Sequence, residues 1–288
     1  MASFIEMLND RWRGNKTALC IGLDPEWEKV RSITGFQEPG EGLFKFCRAI
    51  VKETHTLVCA YKPNLAFFAC HGPAGIEALH RLTEFIHLEY TGIPVILDAK
   101  LGDIGNTSKC YAEMAFGYFK ADAVTLSPYL GGDALQPFLD YQDKGCIILC
   151  RTSNPGVAET QSAIDFVDGC VPREYTPYYK YIAHLVANKW NKNGNCGVVV
   201  GATAPDELKE VRQIVREMPI LIPGIGAQGG DLVKTVAAGR AETSDGMIIN
   251  ISRAVVFAKP VGDEKYYQAA ERAAREYCQA INDCLTQS

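Results

Sequence analysis

The stretch Asp98-Ala99-Lys100-Leu101-Gly102-Asp103 places two acids and a base within six residues, where an apolar run, Ile93–Lys100, gives out. Successive side chains of a strand alternate between its faces, so Asp98 and Lys100 are expected to share one face, with Leu97 and Ala99 on the other. Charges confined in this way are costly unless paired, and a single Asp-x-Lys is equally well a structural ion pair. A second apolar run, Val58–Asn64, ends in Lys62-Pro63-Asn64. Lys62, Asp98, Lys100 and Asp103 then make an alternating set of two cations and two anions. Coupled charges held together are a candidate catalytic site.

A second group could hold a phosphate. Pro223-Gly224-Ile225-Gly226-Ala227-Gln228-Gly229-Gly230-Asp231 follows one apolar run, and Ser252-Arg253 follows the next. Glycines let backbone N–H groups approach anionic oxygens, and an arginine adds charge-assisted hydrogen bonds. A glycine-rich loop alone is more often a turn; Arg253 beside it makes an anion clamp the better reading.

Eight short apolar runs must position these groups: Thr17–Asp24, Val58–Asn64, Ile93–Lys100, Ala121–Ser127, Gly145–Thr152, Cys196–Thr203, Pro219–Gly226 and Asp245–Ser252. Most are continuously apolar, as in parallel strands covered on both faces. Between them lie helical periodicities. Gly75–Tyr90 carries Ile76, Leu79, Leu82, Phe85 and Ile86 on one face; Asp206–Met218 carries Leu208, Val211, Ile214 and Val215. A last helix is expected from Glu264 to about Leu285. Alternating strands and helices indicate α/β, and eight units favour a (β/α)8 TIM barrel, expected to form one domain over residues 1–288. Such barrels carry their chemistry at the C-terminal strand ends, often with phosphate held after the last two strands. Here that is where the charges stand, Asp24 at the end of the first run among them. The least periodic stretch, 153–177, reads as a long loop or insertion.

Composition narrows the function. The chain has 288 residues, 47% hydrophobic and 22% charged, with a formal net charge of −5. That balance argues against a nucleic-acid partner. The N-terminus lacks a basic start followed by an apolar run, and no stretch approaches the ~18 apolar residues of a membrane span, so a cytoplasmic protein without membrane contact is expected. The 11 cysteines show no CxxC pair or zinc-like spacing and read as reduced thiols, Cys146 and Cys150 as core. His55, His71, His80, His87 and His184 fall off the strand ends and read as surface or packing residues. The tryptophans and the Tyr175–Tyr181 region read as packing. No metal site is expected.

The motif Asp98-x-Lys100-x-x-Asp103-Ile104 resembles the D-x-K-x-x-D-I signature of the orotidine 5'-phosphate decarboxylases, and the match runs on through Asn106 and Thr107. Asp24, Lys62, Thr152-Ser153-Asn154-Pro155-Gly156, the Pro-Gly-x-Gly-Ala-Gln-Gly-Gly loop and Arg253 extend it over about 17–256. Length and the Tyr61-Lys62-Pro63-Asn64 wording resemble the longer bacterial-type subfamily. The resemblance implies decarboxylation of orotidine 5'-phosphate to uridine 5'-phosphate, the last step of de novo UMP synthesis. It implies that Lys100 delivers a proton to C6, Asp98 lies against the departing carboxylate, and Lys62 and Asp24 hold ribose hydroxyls. Asp103, Ile104 and Thr107 would reach a neighbouring subunit's site, so a homodimer with shared sites is implied. Ser153 would meet the pyrimidine edge. Pro223, Gln228, Gly229 and Arg253 would grip the phosphate, the loop from Pro223 to about Val233 closing as a lid. No pyridoxal or thiamine motif is visible, so no cofactor is expected.

Two rivals remain. A Mg2+-dependent sugar-phosphate decarboxylase or aldolase of the same barrel group shares D-x-K-x-x-D, but uses an acid where Lys62 stands. A non-catalytic nucleotide-phosphate sensor would have little reason to confine four charges.

Overall fold

A computed structural model describes residues 2–161, 177–226, 229–244 and 246–287. Eight parallel strands follow one another in space: β1 (Leu19–Leu23), β2 (Ala60–Pro63), β3 (Ile96–Leu101), β4 (Ala123–Leu126), β5 (Gly145–Arg151), β6 (Cys196–Val200), β7 (Ile220–Pro223) and β8 (Met247–Ile251). The hydrogen-bonded order is β2-β1-β8-β7-β6-β5-β4-β3. The ring closes between β2 and β3 through two bridges, Tyr61 with Val95 and Asn64 with Asp98. This is the expected (β/α)8 barrel, each strand lying inside its apolar run except β3, which extends one residue past it to Leu101. The main helices also fall where periodicity puts them: Gly72–Glu89, Pro205–Val215 and Tyr266–Gln287.

Two cores follow from the period-two alternation of the strands. The larger lies between the strands and the outer helices and includes Ile21, Tyr61, Leu97, Val124, Ile148, Val198, Ile222 and Ile249. The smaller fills the barrel with Cys20, Ala60, Ile96, Ala123, Ile147, Val199, Leu221 and Ile248. Its lower end is stoppered by helix Phe4–Gly14, which buries Phe4, Leu8 and Trp12. That helix starts on a capping box: Ser3 Oγ accepts from the Glu6 N–H, and the Ser3 N–H donates to Glu6 at 2.7 Å. Gly145 makes room for the stopper, since a Cβ there would lie 2.3 Å from the Phe4 ring. With the bottom closed and apolar, the inward positions one step further along the strands are left for the site.

Of the 153–177 stretch, 162–176 lie outside the described residues; a short helix, Val157–Thr160, precedes them. Cys20, Cys47, Cys146, Cys150 and Cys196 are buried thiols, and burial pushes Cys20 and Cys196 up to about 12. The histidines pack as expected: His55 stacks on Tyr90, His80 on Tyr118, and His87 Nε2 lies 2.9 Å from Asp122. Among the described residues no helix is long and apolar enough to cross a membrane.

Candidate active site

A cavity of about 570 Å3 opens at the C-terminal end of the barrel. Its floor is apolar, from Leu149, Val199 and Leu221, which reach down to the inner core. Above them the inward positions of four strands turn polar: Lys62, Asp98, Thr125 and Asn250. The same alternation that buries Ala60, Ile96, Ala123 and Ile248 below them brings these four to the cavity wall.

Asp98 is the hub. Its Oδ2 accepts from Lys62 Nζ at 2.9 Å and Asn64 Nδ2 at 3.2 Å. Its Oδ1 accepts from Lys100 Nζ at 2.6 Å and Thr125 Oγ1 at 3.0 Å. Asp24 stands 3.9 Å from Lys62 Nζ on the other side. Within one chain the alternating array is therefore Asp24, Lys62, Asp98 and Lys100. Burial alone would lower Lys62, but Asp24 and Asp98 outweigh it and hold the ammonium above the ordinary lysine range. Burial alone would raise Asp98; Lys62 and Lys100, by charge and hydrogen bond, hold it well below the usual carboxylate range. Both groups stay ionised at neutral pH. The two lysines differ in access: the Lys62 side chain is 4% exposed, that of Lys100 49%. Lys62 anchors the array from within, while Lys100 presents its ammonium to the cavity.

The route by which Lys100 reaches Asp98 corrects the simple alternation argument. The β3–β4 register shifts between Leu97 and Leu101, and Lys100 is left-handed, at φ +50°. A bulge, not a regular strand, brings the two side chains together, and non-glycine residues adopt this region only where their surroundings enforce it.

The second group is partly assembled. Pro223, Gly224, Ile225 and Arg253 line the far end of the same cavity. Gly224, Gly226 and Gly229 have φ of +111°, +81° and +78°, and the loop is tied by Gly230 N–H donating to Gly224 O at 3.1 Å. Gly229 is exposed at the tip, outside the cavity lining; Gln228 lies outside the described residues. The Arg253 guanidinium has no carboxylate partner among the described residues. Ser153 lines a side wall with Thr152 and Asn154. Gly201 leaves it space, since a Cβ there would fall 2.7 Å from Ser153 Cβ. Asp103, Ile104 and Thr107 are not brought to this cavity: Asp103 Oδ1 accepts the Ile104 N–H at 2.8 Å, and Ile104 is 59% exposed. Reasoning from sequence did not single out Thr125 or Asn250. Their one available signal was inward parity at the ends of β4 and β8.

The comparisons with known proteins agree with this geometry. Residues 17–265 match the model of the Orotidine 5'-phosphate decarboxylase / HUMPS family. The chain belongs to that family. An orotidine 5'-phosphate decarboxylase of Cupriavidus metallidurans is 48% identical over 281 residues, 97% of this chain and 98% of its own. Among solved structures, the OMP decarboxylase of Leishmania donovani superposes with TM-score 0.82 at 36% identity, covering 98% of both chains. The UMP synthase of Leishmania donovani gives TM-score 0.84 at 38% identity over 99% of this chain and 56% of its own. The named relatives at near-complete coverage are decarboxylases.

Proposed function

We propose that this member of the family converts orotidine 5'-phosphate to uridine 5'-phosphate and CO2. The observation that carries the reading is one carboxylate, Asp98, held by four donors between a buried and an accessible lysine, at the head of a cavity whose other end offers Arg253.

The chemistry follows from these groups. The C6–carboxylate bond breaks, CO2 leaves neutral, and the electron pair stays on C6. No ring carbonyl is placed to delocalise that pair, so fixed charges must stabilise it. The Lys100 ammonium does so electrostatically and then gives its proton to C6, leaving a neutral amine to be reprotonated from water. Asp98, held ionised, lies against the substrate carboxylate and favours its departure. Lys62 and Asp24 hold the ribose hydroxyls, Ser153 the pyrimidine edge, and Pro223, Gly229 and Arg253 the phosphate. Phosphate binding far from C6 contributes to assembling the charged end. Preorganised charge of this kind accounts for a large part of the ~8–23 kcal/mol by which enzymes lower barriers. No cofactor enters this scheme, and a cytoplasmic location is part of the same reading.

The working unit is a homodimer in which Asp103, Ile104 and Thr107 complete the partner's site. The exposure of Ile104 and Thr107, and the absence of all three from the lining of their own cavity, support this. Mixing Lys100→Ala and Asp103→Ala chains is expected to regenerate activity, because one site of each mixed dimer is then intact; no recovery after proven subunit exchange removes the shared site.

The decisive assay follows ultraviolet absorbance when the protein meets orotidine 5'-phosphate in EDTA. Conversion that is lost in Lys100→Ala is the expected result. Conversion only on adding Mg2+ would favour the sugar-phosphate rival, and tight binding without turnover the sensor.

A further inference from the structure

Thr125 lies on β4, 1% exposed, opposite the bulge of β3. A threonine hydroxyl has one proton to donate and two lone pairs. Here all three are used within the protein. The proton goes to Asp98 Oδ1 at 3.0 Å, and the lone pairs accept the N–H groups of Ala99 at 3.0 Å and Lys100 at 2.9 Å. In a regular parallel ladder those two N–H groups would not both turn to one side chain of the neighbouring strand. The shift in register between Leu97 and Leu101 redirects them, and the Thr125 hydroxyl satisfies both.

We propose that Thr125 is the positioning residue of the decarboxylation site, fixing the Asp98 carboxylate and the left-handed backbone of Lys100 relative to each other through one oxygen. This rests on the function proposed above. Although Thr125 lines the cavity, its hydroxyl has no hydrogen-bonding capacity left for a ligand, so it acts through its neighbours. Lys100 needs such a constraint. Its φ of +50° is disfavoured for a lysine, and its side chain is 49% exposed. Little but the anchored backbone and the 2.6 Å bond to Asp98 holds the ammonium in place. Without the hydroxyl two N–H groups and one carboxylate oxygen lose a partner together, and the bulge is free to relax towards a regular strand. The ammonium then leaves its position against C6. The Arg253 end of the cavity, built on other strands, is untouched.

The test is the steady-state kinetics of Thr125→Val, which keeps the shape and removes the hydroxyl, beside Thr125→Ser, which keeps the hydroxyl. The affinity for uridine 5'-phosphate is measured in parallel. A misplacement of about 1 Å can lower rate on the order of 100-fold, so Thr125→Val should lose kcat on that scale. KM and the affinity for uridine 5'-phosphate should stay close to the parent values, and Thr125→Ser should restore most of kcat. A purely structural role would lower the unfolding temperature without this kinetic split. Thr125→Val with parent kcat, parallel loss of kcat and of uridine 5'-phosphate affinity, or Thr125→Ser no better than Thr125→Val would each overturn the proposal. If Thr125→Val does not fold, Thr125→Ala is read on the same terms. Absence of turnover in the parent protein is a separate outcome: it removes the proposed function, and this inference with it.

Discussion

Lys62→Met isolates the electrostatic half of the site. The substitution keeps most of the side-chain volume and removes one buried cation, whose Nζ lies 2.9 Å from Asp98 and 3.9 Å from Asp24. Asp98 keeps Asn64, Lys100 and Thr125 as donors, but Asp24 Oδ1 already lacks a hydrogen bond and would lose its nearest cation. Leaving a buried charge without its partner costs about 3–5 kcal/mol at neutral pH. Against a typical stability of ~5–15 kcal/mol this is a large share, and at about 2 °C per kcal/mol for a large domain the unfolding temperature should fall by roughly 6–10 °C. The penalty should depend on pH. In the parent protein Asp98 is held below its ordinary range, so its contribution is fully present above the unfolded value of ~3.9 and is lost only in stronger acid. In Lys62→Met the burial of Asp98 is opposed only by Lys100 and two neutral donors, and its folded-state carboxyl is expected to rise above the unfolded value. Such a group binds a proton more readily folded than unfolded, so the variant's penalty is full at high pH and relaxes as pH falls through the raised value. Thermal unfolding of both proteins at pH 8 and pH 5 should therefore show a smaller gap at pH 5. An equal gap at both would refute the reasoning and point to lost packing.

Other outcomes follow from the same structure. Arg253→Ala should weaken uridine 5'-phosphate by about 10- to 100-fold, from ~1.5–3 kcal/mol of charge-assisted hydrogen bonding, and leave uridine affinity nearly unchanged by calorimetry. In Gly201→Ala the new Cβ, 2.7 Å from Ser153 Cβ and 3.1 Å from its Cα, must displace that segment. A fall in kcat/KM of roughly 10- to 100-fold is expected, with Gly14→Ala, whose Cβ meets nothing within 4 Å, as the unaffected control. Arg212 is buried and donates to the carbonyls of Gly239, Met218 and Gly246, each at 2.7 Å, and of Arg216. Burial lowers it to about 10, still charged at neutral pH. Arg212→Leu strands these carbonyls and should cost on the order of 3 kcal/mol in denaturant unfolding.

The barrel was legible because its strands are buried on both faces and so read as continuous apolar runs, four of them cut by an inward polar residue where the cavity begins. Lys62 and Asp98 were legible for the same reason, since an ionisable residue at inward parity has no place in such a run unless it is used. The stopper helix was less so. Its capping box, Ser3 with Glu6, stands in plain sequence, but nothing local says that Phe4 and Trp12 close a barrel whose strands lie far along the chain. Asp103, Ile104 and Thr107, which the proposal assigns to a second copy's site, do not line their own cavity.

Lys100 marks where reading along one strand stops being sufficient. Strict alternation places it beside Asp98, and it is beside Asp98, yet through a left-handed residue and a bulge that alternation does not contain. The device that stabilises the bulge sits on the next strand, in Ala123-Val124-Thr125-Leu126, where a threonine is an ordinary strand former and carries no sign of another role. Two N–H groups of β3 and one hydroxyl of β4 are each unremarkable in their own segment. Only the register between the strands shows that each supplies what the others lack. The charges of such a site can be read from residue types, whereas their alignment to within an ångström is a property of strand pairing.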